Sequence, residues 1–316
     1  MSQIGLQDTP SDQCDVEDKS ALRSYCELRK KWLAWLQADP NHSIWSQLFK
    51  MVVNDLAVRT LAAAAEEDPQ SPLHNPLLVR TILEGHQDAQ ILGIRRLWDN
   101  KAKVVSVHRL LKDIRANLSV FTREIYVSGR GLPYNPSSET DVKSVSGPGF
   151  VSPRESILSP LQTEKAQQRF DRLSKITAHR RARTDRIPKA FIDCLERHIA
   201  KSGAGDIVKW SHQFVAHAGD SQSNGWSDPD ATFEKGISAQ KSIVQVVQLI
   251  STQLLQGPSF GRLVPIQSSP FFRLERLVSQ QALEKARRLW EDLEKDRNSW
   301  LQNDWGSPDL LTVVGW

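Results

Sequence analysis

Ser106-Val107-His108-Arg109-Leu110-Leu111-Lys112-Asp113-Ile114, continued to Leu118, decides the fold class. Val107, Leu110, Leu111, Ile114 and Leu118 recur at three- and four-residue steps, the period of a helix with one buried side. Ser106 stands where a side-chain oxygen accepts the first free backbone N–H groups. Upstream, Asn75-Pro76 is a helix start of a related kind. Asn caps, and Pro fits the first helical position, where its missing N–H is not needed. That helix is expected to reach about Asp99.

The same periodicity extends in both directions. Residues 22–36 and 43–65 read as helices, separated by Asp39-Pro40, which stops the first. Ser159-Pro160 starts a helix reaching about His179, another covers 188–200, and Asp206 opens a short one ending near His217. The apolar run 231–256 has the Ile and Val content of a strand but the length of a helix. Ser269-Pro270 is expected to begin the last helix. No sustained strand alternation is present, so the expected fold is an all-α bundle. Its parts are a disordered tail (1–17), one helical domain (18–305) with a loop insertion at 129–160 rich in Gly, Pro and Ser, an extra C-terminal helix, and an irregular end (306–316).

Composition narrows the class. Of 316 residues, 39% are hydrophobic and 25% charged, the balance of an ordinary soluble protein. No apolar run is long enough to span a bilayer and the N-terminus carries no apolar signal core, so the expectation is a cytoplasmic protein without a membrane partner. The three cysteines, Cys14, Cys26 and Cys194, are too widely spaced for a zinc pattern or a disulfide framework. No phosphate-cradling glycine loop, HExxH or GxSxG occurs, and neither cofactor nor metal is expected. The charge is unevenly spread. Residues 154–201 hold twelve Lys/Arg against six acids, an excess larger than the +4 of the whole chain. Such a stretch, with Arg180, Arg181 and Arg183 at its centre, either is a solvated helix end or faces nucleic acid.

Two segments carry chemistry. Arg95-Arg96-Leu97-Trp98-Asp99-Asn100 closes one helix, and Val105 to Ile114 opens the next. Trp210-Ser211-His212-Gln213-Phe214-Val215-Ala216-His217-Ala218-Gly219-Asp220 ends another with two histidines, a glycine and a carboxylate. Together, in that order, they resemble the HEPN-like family of abortive-infection protein U, its second component. The resemblance implies a helical bundle, typically dimeric, in bacterial phage defence or a toxin–antitoxin pair, with RNA as target and a cognate antitoxin or defence protein as partner.

Active HEPN proteins cleave RNA without a metal, using an Arg and a His with four to six residues between them. A histidine, titrating near neutrality, takes the proton from the ribose 2′-hydroxyl or gives one to the leaving oxygen. An arginine forks onto the phosphate. The resemblance makes His217 the acid/base, with His212 and Asp99 as further catalytic candidates. Lys209, Arg95, Arg96, Arg180, Arg181 and Arg183 are the phosphate-binding candidates. Ser211 stands where the family's arginine is expected, which leaves two readings: a metal-independent RNase, or a non-catalytic module that binds protein or nucleic acid. Two further Arg–His spacings occur. Arg80 and His86 share a helix on which His86 lies among apolar residues, the position of a core histidine. Arg172 and His179 adjoin the basic run.

Overall fold

The computed structural model describes residues 10–101, 103–135, 160–212, 234–265, 270–271, 273–302 and 309–316, and the backbone alone of 153–159 and 233. Eleven helices are described: α1 (Lys19–Leu33), α2 (Ile44–Glu67), α3 (Pro76–Leu97), α4 (Val107–Ala116), α5 (Arg123–Ser128), α6 (Pro153–Ser174), α7 (Lys189–Lys201), α8 (Ala204–Trp210), α9 (Phe233–Leu249), α10 (Gln280–Ser299) and α11 (Leu310–Val313). The fold is all-α. Among the described residues the β pairing is one isolated bridge, Thr122 to Arg186.

Caps set several of these starts. Ser43 accepts from the Ser46 N–H, Asn75 from those of Leu77 and Leu78, and Ser106 Oγ from that of Arg109. A wide π turn, Ala34–Ala38, follows α1, and another, Ile250–Leu254, extends α9.

The chain divides into two compact units, 1–32 with 113–193, and 33–112 with 194–316. In the first unit, Phe121 packs parallel to Trp32 (5.5 Å between centroids) and edge-on to Tyr25. Helices α5 and α6 pack together, with Tyr126 against Phe170. In the second unit α2 is central, packed against α3, α9 and α10, while α3 also receives α8 and α9. Small residues let these helices close up. Ala64 of α2 meets Ala282 and Ala286 of α10. At Gly93 of α3 an added Cβ would lie 2.5 Å from Met51 Sδ of α2, so a larger residue there requires the flexible Met51 side chain to move.

Several expectations need correction. Helix α6 begins at Pro153, inside the stretch read as loop, and Pro160 lies within it. A proline is favoured at a first turn and costs a backbone hydrogen bond inside a helix, and for this reason Ser159-Pro160 reads as a start that the structure does not use. Helix α8 starts at Ala204, after Gly203 in the left-handed region (φ 85°), and not at Asp206. The last long helix is capped by Ser279, ten residues beyond the expected Ser269. Two ends read as irregular are partly packed. Cys14 and Val16 are buried, and Lys19 Nζ donates to the carbonyls of Ser11 and Cys14. Asp309 caps α11, Leu310, Leu311 and Val314 are buried, and Cys194 Sγ lies 3.1 Å from the Val314 carbonyl.

Candidate functional site

Helix α8 carries the described half of the expected catalytic segment. Lys209 and His212 are exposed at its end, and Lys209 Nζ stands 4.0 Å from Asp206. Ser211 is fully buried, and its hydroxyl donates to the Val208 carbonyl at 2.8 Å. The Ser211 side chain, at the position where the family arginine is expected, points into the protein. The expected acid/base His217, with Asp220, lies outside the described residues.

Helix α3 ends in the second set. Arg95 is half-buried and Arg96 exposed. The Asp99 carboxylate accepts from the Lys101 N–H at 2.8 Å, and the Asp99 carbonyl accepts from Ser106 Oγ at 2.6 Å. The carboxylate caps the turn between α3 and α4, and no hydrogen bond among the described residues joins it to His212. Around this turn His108 stands edge-on to Trp98 (5.3 Å) and Arg109 lies over the Trp35 ring (4.4 Å). Both residues are half-buried.

The basic run of the first unit is largely neutralised by its own neighbours. Arg181 bonds both oxygens of Glu164 and both of Asp171, and those bonds hold its guanidinium above its usual proton affinity. The same contact lowers the Glu164 carboxyl below the usual range, against a smaller opposing effect of burial. Arg183 bonds Glu124 and Asp15 and covers the Tyr134 ring. Burial opposes its charge, but the bonds to Glu124 and Asp15 prevail and its proton is held more tightly. Beneath them the fully buried Arg123 reaches Asp171 (2.6 Å), Asp185 (2.8 Å) and Gln167 (3.1 Å). Arg180, by contrast, is exposed. Of the three arginines of this run expected to meet phosphate, Arg180 is exposed while Arg181 and Arg183 are half-buried.

A second polar cluster, which sequence reading missed, lies inside the second unit. Asp55 of α2 is buried and receives Arg59 Nε on both oxygens (3.1 Å each) and Arg297 Nη2 at 3.1 Å. His86 Nε2 stands 3.4 Å from Asp55 Oδ1. Gln90 donates to the Met51 carbonyl (3.0 Å) and accepts from Gln240 (2.6 Å). Burial pushes the Asp55 carboxyl up. The His86 hydrogen bond, the Arg59 charge and the Arg297 bond more than reverse this and hold it below the usual range. The only local signal was the four-residue spacing of Asp55 and Arg59. His86 is a core histidine, as its apolar surroundings indicated. Its spacing partner Arg80 points to solvent and bonds Glu84 at 2.7 Å. Among the described residues no cluster of His, Cys, Asp and Glu could hold a metal, and no helix is long and apolar enough to cross a membrane.

These features define an all-α protein whose α8 ends in the His212 segment and whose α3–α4 turn is closed by Asp99. Residues 42–263 match the family model HEPN_AbiU2, described as AbiU2, and the chain belongs to this HEPN-like abortive-infection family. No curated protein and no solved structure matches the chain.

Proposed function

We propose that the chain serves bacterial abortive infection, in the cytoplasm, as a HEPN-like module that binds a macromolecular partner and does not itself cut RNA. The burial of Ser211 carries this reading. Metal-independent cleavage needs a cation on the phosphate as charge builds up. Here the position expected to supply it faces inward, and Arg181 and Arg183 are held by carboxylates. A cognate antitoxin or defence protein fits this module as partner, and RNA held at Arg180 is the other class of ligand.

One observation favours a second reading. Lys209 and His212 are both exposed, five to eight residues before His217. In an RNase they would take the phosphate while His217 moves the proton. Incubating the folded protein with labelled single-stranded RNA and tRNA in EDTA separates the two. The binding reading expects intact RNA. Cleavage that survives the chelator and disappears in His217→Ala would overturn it and establish the nuclease.

A further inference from the structure

Residues 95–112 hold six Lys/Arg against one acid, an excess larger than the +4 of the whole chain. The stretch closes α3, makes the turn and opens α4. Three contacts fold it together. Ser106 Oγ donates to the Asp99 carbonyl (2.6 Å), Arg109 Nη1 donates to the Val104 carbonyl (3.3 Å), and His108 stands edge-on to Trp98. Val107, Leu110 and Leu111 of α4 are buried, which turns Arg109 and Lys112, three residues apart, to the other side of that helix. Arg96, Lys101, Lys103 and Lys112 are exposed, and Arg95 and Arg109 are half-buried. None of the six forms an ion pair among the described residues. Arg181 and Arg183 differ in this respect, since carboxylates hold both. The single acid of the turn, Asp99, directs its carboxylate to the Lys101 N–H. The positive charge here is therefore left for a ligand.

We propose that the α3–α4 turn is the surface on which a protein partner docks, and that the partner presents a run of Asp and Glu side chains. The inference rests on the reading of the chain as a binding module and adds where the partner sits and what chemistry it brings. Single-stranded nucleic acid is held by exposed rings on which bases stack. The two rings beside this turn are packed against its own side chains. Trp98 meets His108, Trp35 lies under Arg109 (4.4 Å), and both are half-buried. Carboxylates need no ring. They need charge and N–H donors, which Arg96, Lys101, Lys103 and Lys112 offer to solvent. Complementary charge of this kind selects the partner and speeds its arrival.

Fluorescence anisotropy tests it, with the full chain and a labelled peptide of alternating Glu and Ala at about 0.1 M salt, where exposed charges still attract within about 10 Å. The peptide is expected to bind. Lys101→Glu/Lys103→Glu should weaken binding by about tenfold or more, with unchanged circular dichroism and thermal midpoint because both side chains are exposed. Arg180→Glu/Arg186→Glu reverses as many exposed charges in the basic run of the first unit and should change binding by less than about twofold. No binding at about 100 µM peptide overturns the proposal. Equal losses in the two double variants overturn it too, because the peptide then reads net charge and not this turn. Single-stranded RNA of equal charge that displaces the peptide, and is itself released by Lys101→Glu/Lys103→Glu, gives the surface to nucleic acid and overturns it as well. Failure of the binding-module reading shows separately, as RNA cleavage in EDTA.

Discussion

Replacing Asp55 by Asn tests what holds the second unit together. The substitution keeps the shape and one acceptor but removes the charge that Arg59, Arg297 and His86 share. The Arg297 side chain is 4% exposed, and its other carboxylate partner among the described residues, Asp296, is half in solvent. Arg59, at 27% exposure, can turn outward. Stranding one member of a buried pair costs about 3–5 kcal/mol, and the freedom of Arg59 puts this case at the lower end, about 3 kcal/mol. Urea unfolding followed by tryptophan fluorescence reads it cleanly, because of ten tryptophans only Trp32 falls in the first unit. With a slope of about 3 kcal/mol per molar, the midpoint should drop by about 1 M. The deficit should depend on pH. A carboxyl held below its usual range stabilises fully above about pH 4 and loses that contribution as the pH falls through its folded value, so the gap between wild type and variant should narrow progressively as the pH falls below about 4. The double variant Asp55→Leu/Arg297→Met removes both charges and should recover most of the loss. A midpoint shift under about 0.2 M, or a double variant no better than the single one, would refute the account.

Three further outcomes follow from other parts of the molecule. Burial lowers the His198 pKa, against the raising effect of the hydrogen bond it donates to Gln245 Oε1, so its stabilising effect is complete above about pH 6.5 and is lost as the pH falls toward its folded value. The wild-type urea midpoint should fall between pH 7.5 and 5.5, and His198→Gln should flatten that fall. Ser211→Arg should lower the thermal midpoint, not create a nuclease, because the side chain enters a fully buried position; RNA cleavage by that variant would show the site reading to be wrong. In a filter-binding assay, Arg180→Glu should reduce retention of RNA without changing stability, whereas Arg181→Ala should destabilise the first unit by severing Glu164 from Asp171. The reverse order would place Arg181 at the ligand.

What the sequence disclosed was mostly local. Ser43, Asn75 and Ser106 announce their helices because a cap acts within three residues. Helix α5 escaped notice because Arg123 to Ser128 are all buried, so no apolar stripe alternates with a polar one. The start of α10 was misplaced because Ser269-Pro270 and Ser279 offer the same kind of signal, and contacts across the fold decide between them: the Ser279 N–H bonds Asp68, 211 positions away. The site divides similarly. His86 could be recognised as a core residue from its stripe, and the exposure of Lys209 and His212 follows from a short helix end. The neutralisation of Arg183 could not be read locally, since its partners Asp15 and Glu124 lie 168 and 59 positions off, outside the basic stretch. Charge counted along a chain overstates the field wherever counter-ions arrive from elsewhere.

The pairing of Asp55 with Arg297 spans 242 positions, and Arg183 reaches back 168 to Asp15. At ribosomal speeds of about 5–20 residues per second, α2 waits on the order of 12 to 50 seconds for the helix that completes it. During that interval the alanine face of α2 and the buried carboxylate have no α10 to meet. A nascent chain stopped before α10 would carry that surface uncovered. Such products are natural clients for chaperones and proteases, because the second unit closes only when α10 has been made.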